Sequence, residues 1–176
     1  YQLTVFGTGT GGYELDIESR DSSGRYHTVV RYGTAVPGKT DEYLVSNSTT
    51  SAEDLAVTTV IVQPSVGKVT GGGLETSGKA RGGFNVQSDG ATVKGELQFQ
   101  DKTTNFHASK MTGLGIAKDG KSAWFAGVGK DGRKFVAYVE DNGEPGTRDI
   151  FKLWVDGVAY NAGGVLTGGN VQIHKE

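Results

Sequence analysis

The sequence predicts an all-β protein, in which an antiparallel β-sandwich segment is followed by a small antiparallel β-barrel or curved sandwich. Apolar and polar residues alternate with a period of two along much of the chain, which is typical of half-buried strands. Asp-Gly and Asn-Gly pairs, which favour tight hairpin turns, recur along the second part of the chain. Glycine accounts for 29 of 176 residues but proline for only 3, so the glycines are expected within folded structure rather than in a disordered or collagen-like chain.

The alternation predicts the first two strands. Leu3 and Val5 share one face of the first strand, because side chains two residues apart point to the same side of a strand. Tyr13, Leu15 and Ile17 share one face of the second strand, with acidic residues between them. Both segments therefore have the pattern of strands with one buried face.

Turn residues separate the next strands. Residues 21–24 (Asp-Ser-Ser-Gly) predict a turn, because Asp and Ser bond to nearby backbone groups and Gly adopts positive φ, so Tyr26 to Tyr32 would complete a hairpin. A second break at residues 36–39 precedes a strand at Glu42 to Val45. A further β-branched run covers Val57 to Val62.

The best domain boundary lies at Gln63-Pro64-Ser65, since proline is disfavoured inside a sheet. We therefore predict a β-sandwich module over residues 1–63, which could be partial, and a glycine-rich barrel or sandwich module over residues 66–176. The first module carries a net charge of -4 and the rest of the chain +2, as expected for two different modules. Residues 51–54 (Ser-Ala-Glu-Asp) could alternatively cap one helical turn.

In the second module, three strands place large apolar residues and glycines on the same inward face. These residues are Gly95, Leu97 and Phe99; Ala123, Phe125, Gly127 and Gly129; and Phe151, Leu153 and Val155. Alternation of large and small inward residues indicates a strongly curved sheet. We also expect Val66 to Leu74 to pair with Leu166 to His174, because closure would remove the exposed edges of the sheet.

Composition excludes several classes of function. The formal net charge of -2 provides no basic excess for binding nucleic acid. No apolar run approaches the ~20 residues of a membrane-spanning helix, so membrane insertion is not expected. The absence of cysteine excludes disulfides and thiolate chemistry. Tyr1 is not preceded by Met or a signal peptide and already belongs to a strand-like segment, so we expect a fragment of a longer protein.

An ordered series of glycine-rich motifs follows the boundary. The motifs are Val69-Thr70-Gly71-Gly72-Gly73, Gly82-Gly83-Phe84-Asn85-Val86, Gly95-Glu96-Leu97-Gln98-Phe99, Asp141-Asn142-Gly143-Glu144-Pro145-Gly146 and Leu166-Thr167-Gly168-Gly169-Asn170. Together they resemble a glycine-rich all-β module from the C-terminal parts of secreted and cell-surface bacterial proteins. Residues 1–63 look like the last strands of an Ig-like or anchor-type β-sandwich. Where such modules usually have an aromatic residue after the triple glycine, this chain has Leu74. The resemblance implies a non-catalytic accessory or structural role outside the cytoplasm.

A calcium site is the best metal hypothesis. Asp141, Asn142, Glu144 and Asp149 place several oxygen ligands within one glycine- and proline-containing loop, and Ca²⁺ prefers such ligands. Their spacing is not that of an EF-hand. The alternative is a solvated hairpin loop in which Asp141 caps a turn and Asn142-Gly143 supplies positive φ.

A ligand-binding platform is the second site hypothesis. Trp124 and Trp154 alternate outward from the predicted core, and planar indoles stack on sugar rings or anchor protein interfaces. Gln98 and Gln100 also face outward and could add amide hydrogen bonds beside such a platform. The alternative is that the tryptophans pack against a neighbouring domain, a second subunit or a second core layer.

Evidence for catalysis is weaker. His27, His107 and His174 lie far apart without a zinc-binding spacing, and no nucleophile elbow is present. A glycosidase would need two carboxyl groups across one bond, for which Glu96, Glu140 and Glu144 are candidates. Surface acids on strands usually serve solubility, so we do not expect an enzyme.

Lys110 could face inward if the alternation of Phe106 and Ala108 continues. A buried lysine would allow an isopeptide cross-link with Asn or Asp, but an unpaired buried ammonium is costly. We therefore expect a bend in the strand that exposes it.

The resemblance implies a non-catalytic accessory or structural β-module of a larger secreted or surface-attached bacterial protein, located outside the cell. Its expected partners are neighbouring domains of the same chain and possible polysaccharide ligands. The alternative is a carbohydrate-binding or calcium-dependent adhesion module. An enzyme acting on glycosides is the less favoured third class.

Overall fold

The computed structural model describes residues 2–20, 23–36, 40–46, 55–60, 64–76, 79–156 and 158–175, which form antiparallel strands without an α-helix. The all-β, antiparallel fold class is therefore confirmed. None of the described segments forms a helix long and apolar enough to cross a membrane. A 3₁₀ turn occupies Gly146–Arg148. The strands are β1 (Gln2–Phe6), β2 (Gly11–Arg20), β3 (Tyr26–Ala35), β4 (Thr40–Ser46), β5 (Ala56–Val60), β6 (Gly67–Thr76), β7 (Arg81–Ser88), β8 (Val93–Gln100), β9 (Asn105–Ile116), β10 (Ser122–Gly129), β11 (Lys134–Glu140), β12 (Ile150–Val155) and β13 (Val158–Lys175). The alternative helical turn at residues 51–54 lies outside the described residues.

Strands β6 to β13 form a closed barrel in which each strand pairs with the next along the chain. The last strand, β13, closes the barrel by pairing with the first, β6. Val69 is opposite Ile173 and Thr76 is opposite Leu166 in this ladder. The predicted pairing of these two segments is confirmed.

The barrel interior is filled by aromatic rings and aliphatic side chains. Phe106, Phe125 and Phe135 have no exposed surface, and Phe84 packs against both Phe125 and Phe151. The predicted inward positions Leu97, Phe99, Ala123, Phe125, Phe151, Leu153 and Val155 are all buried, as expected. The interior is therefore a packed hydrophobic core.

Several glycines make room for an aromatic ring on the adjacent strand. A Cβ atom on Gly71 would overlap the ring of its cross-strand partner Phe84, and one on Gly127 would approach the ring of its partner Phe135. The high glycine content therefore has a packing cause, as well as the predicted contribution to curvature.

Lys110 is exposed, because the ladder between β9 and β10 changes register beside it. Ala108 pairs with Gly129 and Met111 pairs with Gly127. Met111 comes three residues after Ala108 on β9, whereas Gly129 comes only two residues after Gly127 on β10, so β9 has one extra residue here. The β-bulge turns the ammonium outward. The predicted strand bend is confirmed, and Lys110 is not placed for an isopeptide cross-link.

The predicted Asp-Gly turns are stabilised by the aspartate side chains. In the β7–β8 turn, the backbone N–H groups of Thr92 and Ala91 donate to Asp89, while Gly90 adopts a φ of 87°. The bonds from Thr92 and then Ala91 hold the pKa of the Asp89 carboxyl below its usual value. These contacts explain the recurrence of Asp-Gly pairs between short strands.

Strands β1 to β5 form two smaller sheets, one with the order β1-β4-β5 and the other made of β2 and β3. Side-chain hydrogen bonds join the two sheets. The Tyr13 hydroxyl on β2 donates to Asp41 on β4 at 2.6 Å and lies 2.7 Å from the hydroxyl of buried Tyr43. Arg31 on β3 donates to the carbonyl of Val57 on β5 at 2.6 Å. The change from these small sheets to the barrel falls between Val60 and Gly67.

The Tyr13 contacts predict an alkaline loss of stability. Burial, together with the bonds to Asp41 and Tyr43, raises the pKa of the Tyr13 hydroxyl. Because the folded-state pKa is raised, this stabilisation is fully present below the unfolded-state pKa of about 10 and is lost as pH rises towards the folded-state value. We expect Tyr13→Phe to lower the free energy of unfolding by about 1 kcal/mol at pH 7, with a smaller difference at pH 11.

Urea unfolding at the two pH values measures this effect, and Tyr32→Phe is the matched control because Tyr32 is 75% exposed on the same hairpin. If the free energies of unfolding of wild type and Tyr13→Phe differ by the same amount at both pH values, the proposed role of Tyr13 is contradicted.

Candidate functional site

Trp124 lies on the outer wall of the barrel, near the start of β10. Its neighbours Ala123 and Phe125 point into the core, so the alternation of the strand turns Trp124 outward as predicted. The indole lies across Gly113 and Gly115 of β9, where a Cβ atom would overlap the ring at either position. These two glycines create a flat seat for the tryptophan on the barrel surface.

The N-terminal strand β1 covers this tryptophan. Phe6 packs edge-on against the indole with ring centroids 5.3 Å apart, and Trp124 is only 9% exposed. Ala126 and Val136 are also buried beside it on the outer wall. An apolar cluster of Phe6, Trp124, Ala126 and Val136 therefore joins the N-terminal sheet to the barrel.

A cleft of about 560 Å³ runs beside this cluster, between the three-stranded sheet and the barrel; we refer to it as the Trp124 cleft. Its walls include Thr4, Phe6, Glu42, Ser65, Ser122, Trp124 and Tyr138. Burial, and then the hydrogen bond that Tyr138 donates to Glu140 at 2.8 Å, raise the pKa of the Tyr138 hydroxyl. The cleft combines an aromatic edge with hydroxyl and carboxylate groups, a lining that suits a polar ligand with an apolar face.

Trp154 does not form a platform with Trp124. It is half-buried on the outer face of β12, opposite Val136 of β11, so Val136 and Ala126 lie between the two tryptophans. The two open indole faces that the platform hypothesis requires are not present, because Phe6 and the glycine seat cover Trp124. Trp124 instead packs against Phe6 of the N-terminal sheet, in agreement with the alternative interpretation that it contacts a neighbouring module.

Gln98 and Gln100 are exposed on the outer face of β8, as expected, but they lie far from Trp124. Gln98 is opposite His107 of β9, whereas Trp124 is opposite Gly115 of that strand. Eight residues of strand correspond to a distance of about 26 Å. The expectation that these amides lie beside Trp124 is wrong, because period-two alternation gives the face of a residue but not its height on the barrel wall.

The four predicted calcium ligands make separate hydrogen bonds. The fully buried Asp149 carboxylate accepts from the backbone N–H groups of Asn142 at 2.8 Å and Val171 at 2.7 Å. Asp141 accepts from the backbone of Gly143 and Ile173, and Glu144 accepts from the side-chain amide of Asn170. The Asn142 amide donates to Glu140 and to the carbonyl of Arg148.

The carboxylates of this loop therefore attach it to β13. Within the described segments, no group of three or more acidic or histidine side chains is arranged to hold a metal ion. The geometry thus does not form the predicted calcium site, because the donors that face Asp149 and Asp141 are backbone N–H groups.

No known protein family, curated protein or solved structure matches this chain.

The candidate acids of a glycosidase are dispersed. Glu96 is exposed on β8, Glu140 accepts a hydrogen bond from Tyr138, and Glu144 is bonded to Asn170. His107 is half-buried on β9 and His174 is exposed on β13. The described structure does not bring these side chains together around a shared cavity.

Sequence reasoning did not identify Phe6, Gly113 and Gly115 as residues of the site. A signal was present, since two glycines separated by one residue form a flat patch on one face of a strand. Pairing that patch with Trp124 required the register between β9 and β10, which alternation alone does not provide.

Proposed function

We propose that this chain is a non-catalytic accessory module of a larger secreted or surface-attached bacterial protein, in which the barrel is a rigid base for the preceding β-sheet module. The resemblance of its glycine-rich motifs to such modules supports the proposed location outside the cell. The filled barrel core supports a structural role, because the interior holds side chains where a ligand-carrying barrel would hold its ligand.

The observation that carries the proposal is the contact between Phe6 and Trp124. An exposed tryptophan on a barrel wall would be costly, but here a glycine seat lies on one side of the ring and an aromatic side chain of the N-terminal sheet on the other. Ser65 adds polar contacts, since its N–H donates to Leu114 and its hydroxyl accepts from Ile116. The connection between the two parts is therefore attached to β9, which favours a fixed orientation over a flexible linker.

Trp124→Ala tests this role. We expect the substitution to release the N-terminal sheet while the barrel stays folded, so that proteolysis before residue 64 accelerates about tenfold or more. Trp154→Ala is the matched control, since Trp154 also lies on the outer wall but stands outside the Phe6 cluster. Equal cleavage of wild type and Trp124→Ala, with unchanged amide NMR signals in β1, would contradict the proposal.

A carbohydrate-binding role is the second candidate, and the lining of the Trp124 cleft favours it. Hydroxyls of Thr4, Ser65 and Ser122 and the carboxylate of Glu42 lie beside the edge of an aromatic ring. A screen of neutral glycans, with and without Ca²⁺, would reveal binding at the cleft if Trp124→Ala abolishes it and Trp154→Ala does not. Binding that both variants retain would place the ligand elsewhere.

A further inference from the structure

A second cavity of about 690 Å³ opens on the barrel surface. It lies where the β6–β7 and β8–β9 turns meet β13, and we refer to it as the barrel mouth. Its volume is within the range of about 300–1,000 Å³ that is typical of small-molecule sites. It shares no lining residue with the Trp124 cleft, so a ligand bound there would be independent of the proposed function.

Two of the charged groups of the barrel mouth are cations with no acidic partner among the described residues. Glu75 pairs with Arg81 at 3.3 Å. The Asp101 carboxylate is directed into its own turn, where it accepts from the backbone N–H groups of Thr103 and Thr104, each at 2.7 Å. Lys79 and Lys102 also line the cavity, and neither ammonium contacts an acid in the part of the chain that the structure describes.

Uncharged hydrogen-bonding groups accompany these cations. The hydroxyl oxygen of Thr76 is buried in the cavity wall and has no hydrogen-bond partner among the described residues. A buried hydroxyl without a partner costs free energy, which marks this part of the cavity wall as unusual. Gln100 and Thr167 add an amide and a second hydroxyl to the lining.

Lys79 adopts a left-handed backbone conformation with a φ of 63°. A side chain other than Gly or Asn is unusual there, because its Cβ atom crowds the backbone. The backbone N–H of Lys79 donates to Thr76 in the same turn. The turn thus holds a lysine where glycine would be more stable, and strain of this kind often occurs at binding sites.

We propose that the barrel mouth binds a small hydroxylated carboxylate of the uronic acid type. Lys79 and Lys102 would hold the carboxylate through charge-assisted hydrogen bonds, while Thr167 and Gln100 would bond to ligand hydroxyls. The ligand could be a free sugar acid or a unit of an acidic polysaccharide, since both present the same groups.

NMR titration of the full chain with D-glucuronate, with an oligogalacturonate and with uncharged D-glucose tests the site. We expect saturable chemical-shift changes in the β6–β7 and β8–β9 turns with the acids and none with glucose.

Lys79→Gly should weaken binding about tenfold or more. The melting temperature of this variant should stay equal or rise, because glycine relieves the strain of the left-handed backbone conformation. Lys102→Gln should weaken binding by a similar factor without changing the backbone. Lys94→Gln, an exposed lysine on β8 outside the cavity, should bind like wild type.

The results distinguish the two ligand sources. Tighter binding of the oligogalacturonate would indicate a polysaccharide, and equal binding of the two acids would indicate a free sugar acid. The proposal is overturned if neither acid gives saturable shifts, if glucose binds equally well, or if the Lys79→Gly and Lys102→Gln variants both bind like wild type.

Discussion

Asp149→Ala is expected to lower the free energy of unfolding by about 3–5 kcal/mol, because hydrogen bonds to a charged group contribute roughly 1.5–3 kcal/mol each and the carboxylate accepts two. Both donors are backbone N–H groups, one in the loop at Asn142 and the other in the barrel wall at Val171. Alanine would leave them without an acceptor beside a residue with no exposed surface. Urea unfolding followed by far-UV circular dichroism measures the change.

Glu144→Gln is the matched control for Asp149→Ala. Glu144 lies in the same loop, but it is exposed and its contact is with the Asn170 side chain. Its substitution should change the free energy of unfolding by less than about 0.5 kcal/mol. If Asp149→Ala is also near neutral, the carboxylate does not attach the loop to β13. If added Ca²⁺ stabilises the wild type but not this variant, the loop is a metal site.

Gly71→Ala is expected to destabilise the barrel by about 1–3 kcal/mol, the usual cost of an added methyl group in a filled core. The new Cβ atom would overlap three atoms of the Phe84 ring. Phe84 cannot move away freely, because its ring packs against Phe125 at a centroid distance of 4.8 Å and against Phe151 at 5.9 Å.

The adjacent glycine provides the control for Gly71→Ala. A Cβ atom on Gly72 would meet nothing within 4 Å. Gly72→Ala should therefore be neutral or should stabilise the protein by a few tenths of a kcal/mol, because alanine reduces the freedom of the unfolded chain. Equal losses in the two variants, measured by thermal unfolding, would show that strand propensity rather than the space for Phe84 determines the effect.

The sequence predicted the fold because alternation and turn chemistry act locally. Asp89-Gly90 and similar pairs specify hairpins, and the inward positions of Phe125 and Phe151 follow from the period of two. The pairing of β6 with β13 was also predictable, because two strands at the ends of a curved sheet gain by covering each other's edges.

The candidate sites were less predictable because they depend on register and on distant partners. Trp124 was assigned to the correct face, but the seat on Gly115 and the cover by Phe6 arise from strand pairing and from docking of another sheet. Asp149 was recognised as an acid in a loop, but its burial depends on the approach of Val171. Register between strands is not encoded in the local pattern that identifies each strand.

The closure of the barrel by its first and last strands has a consequence for folding. Val69 pairs with Ile173, about 100 residues later, so β6 has a free edge until β13 docks. During synthesis at about 5–20 residues per second, that edge would stay open for several seconds after β6 leaves the ribosome. The barrel cannot close before this distant pairing forms, and an early truncation would leave a hydrophobic edge for another nascent chain to pair with.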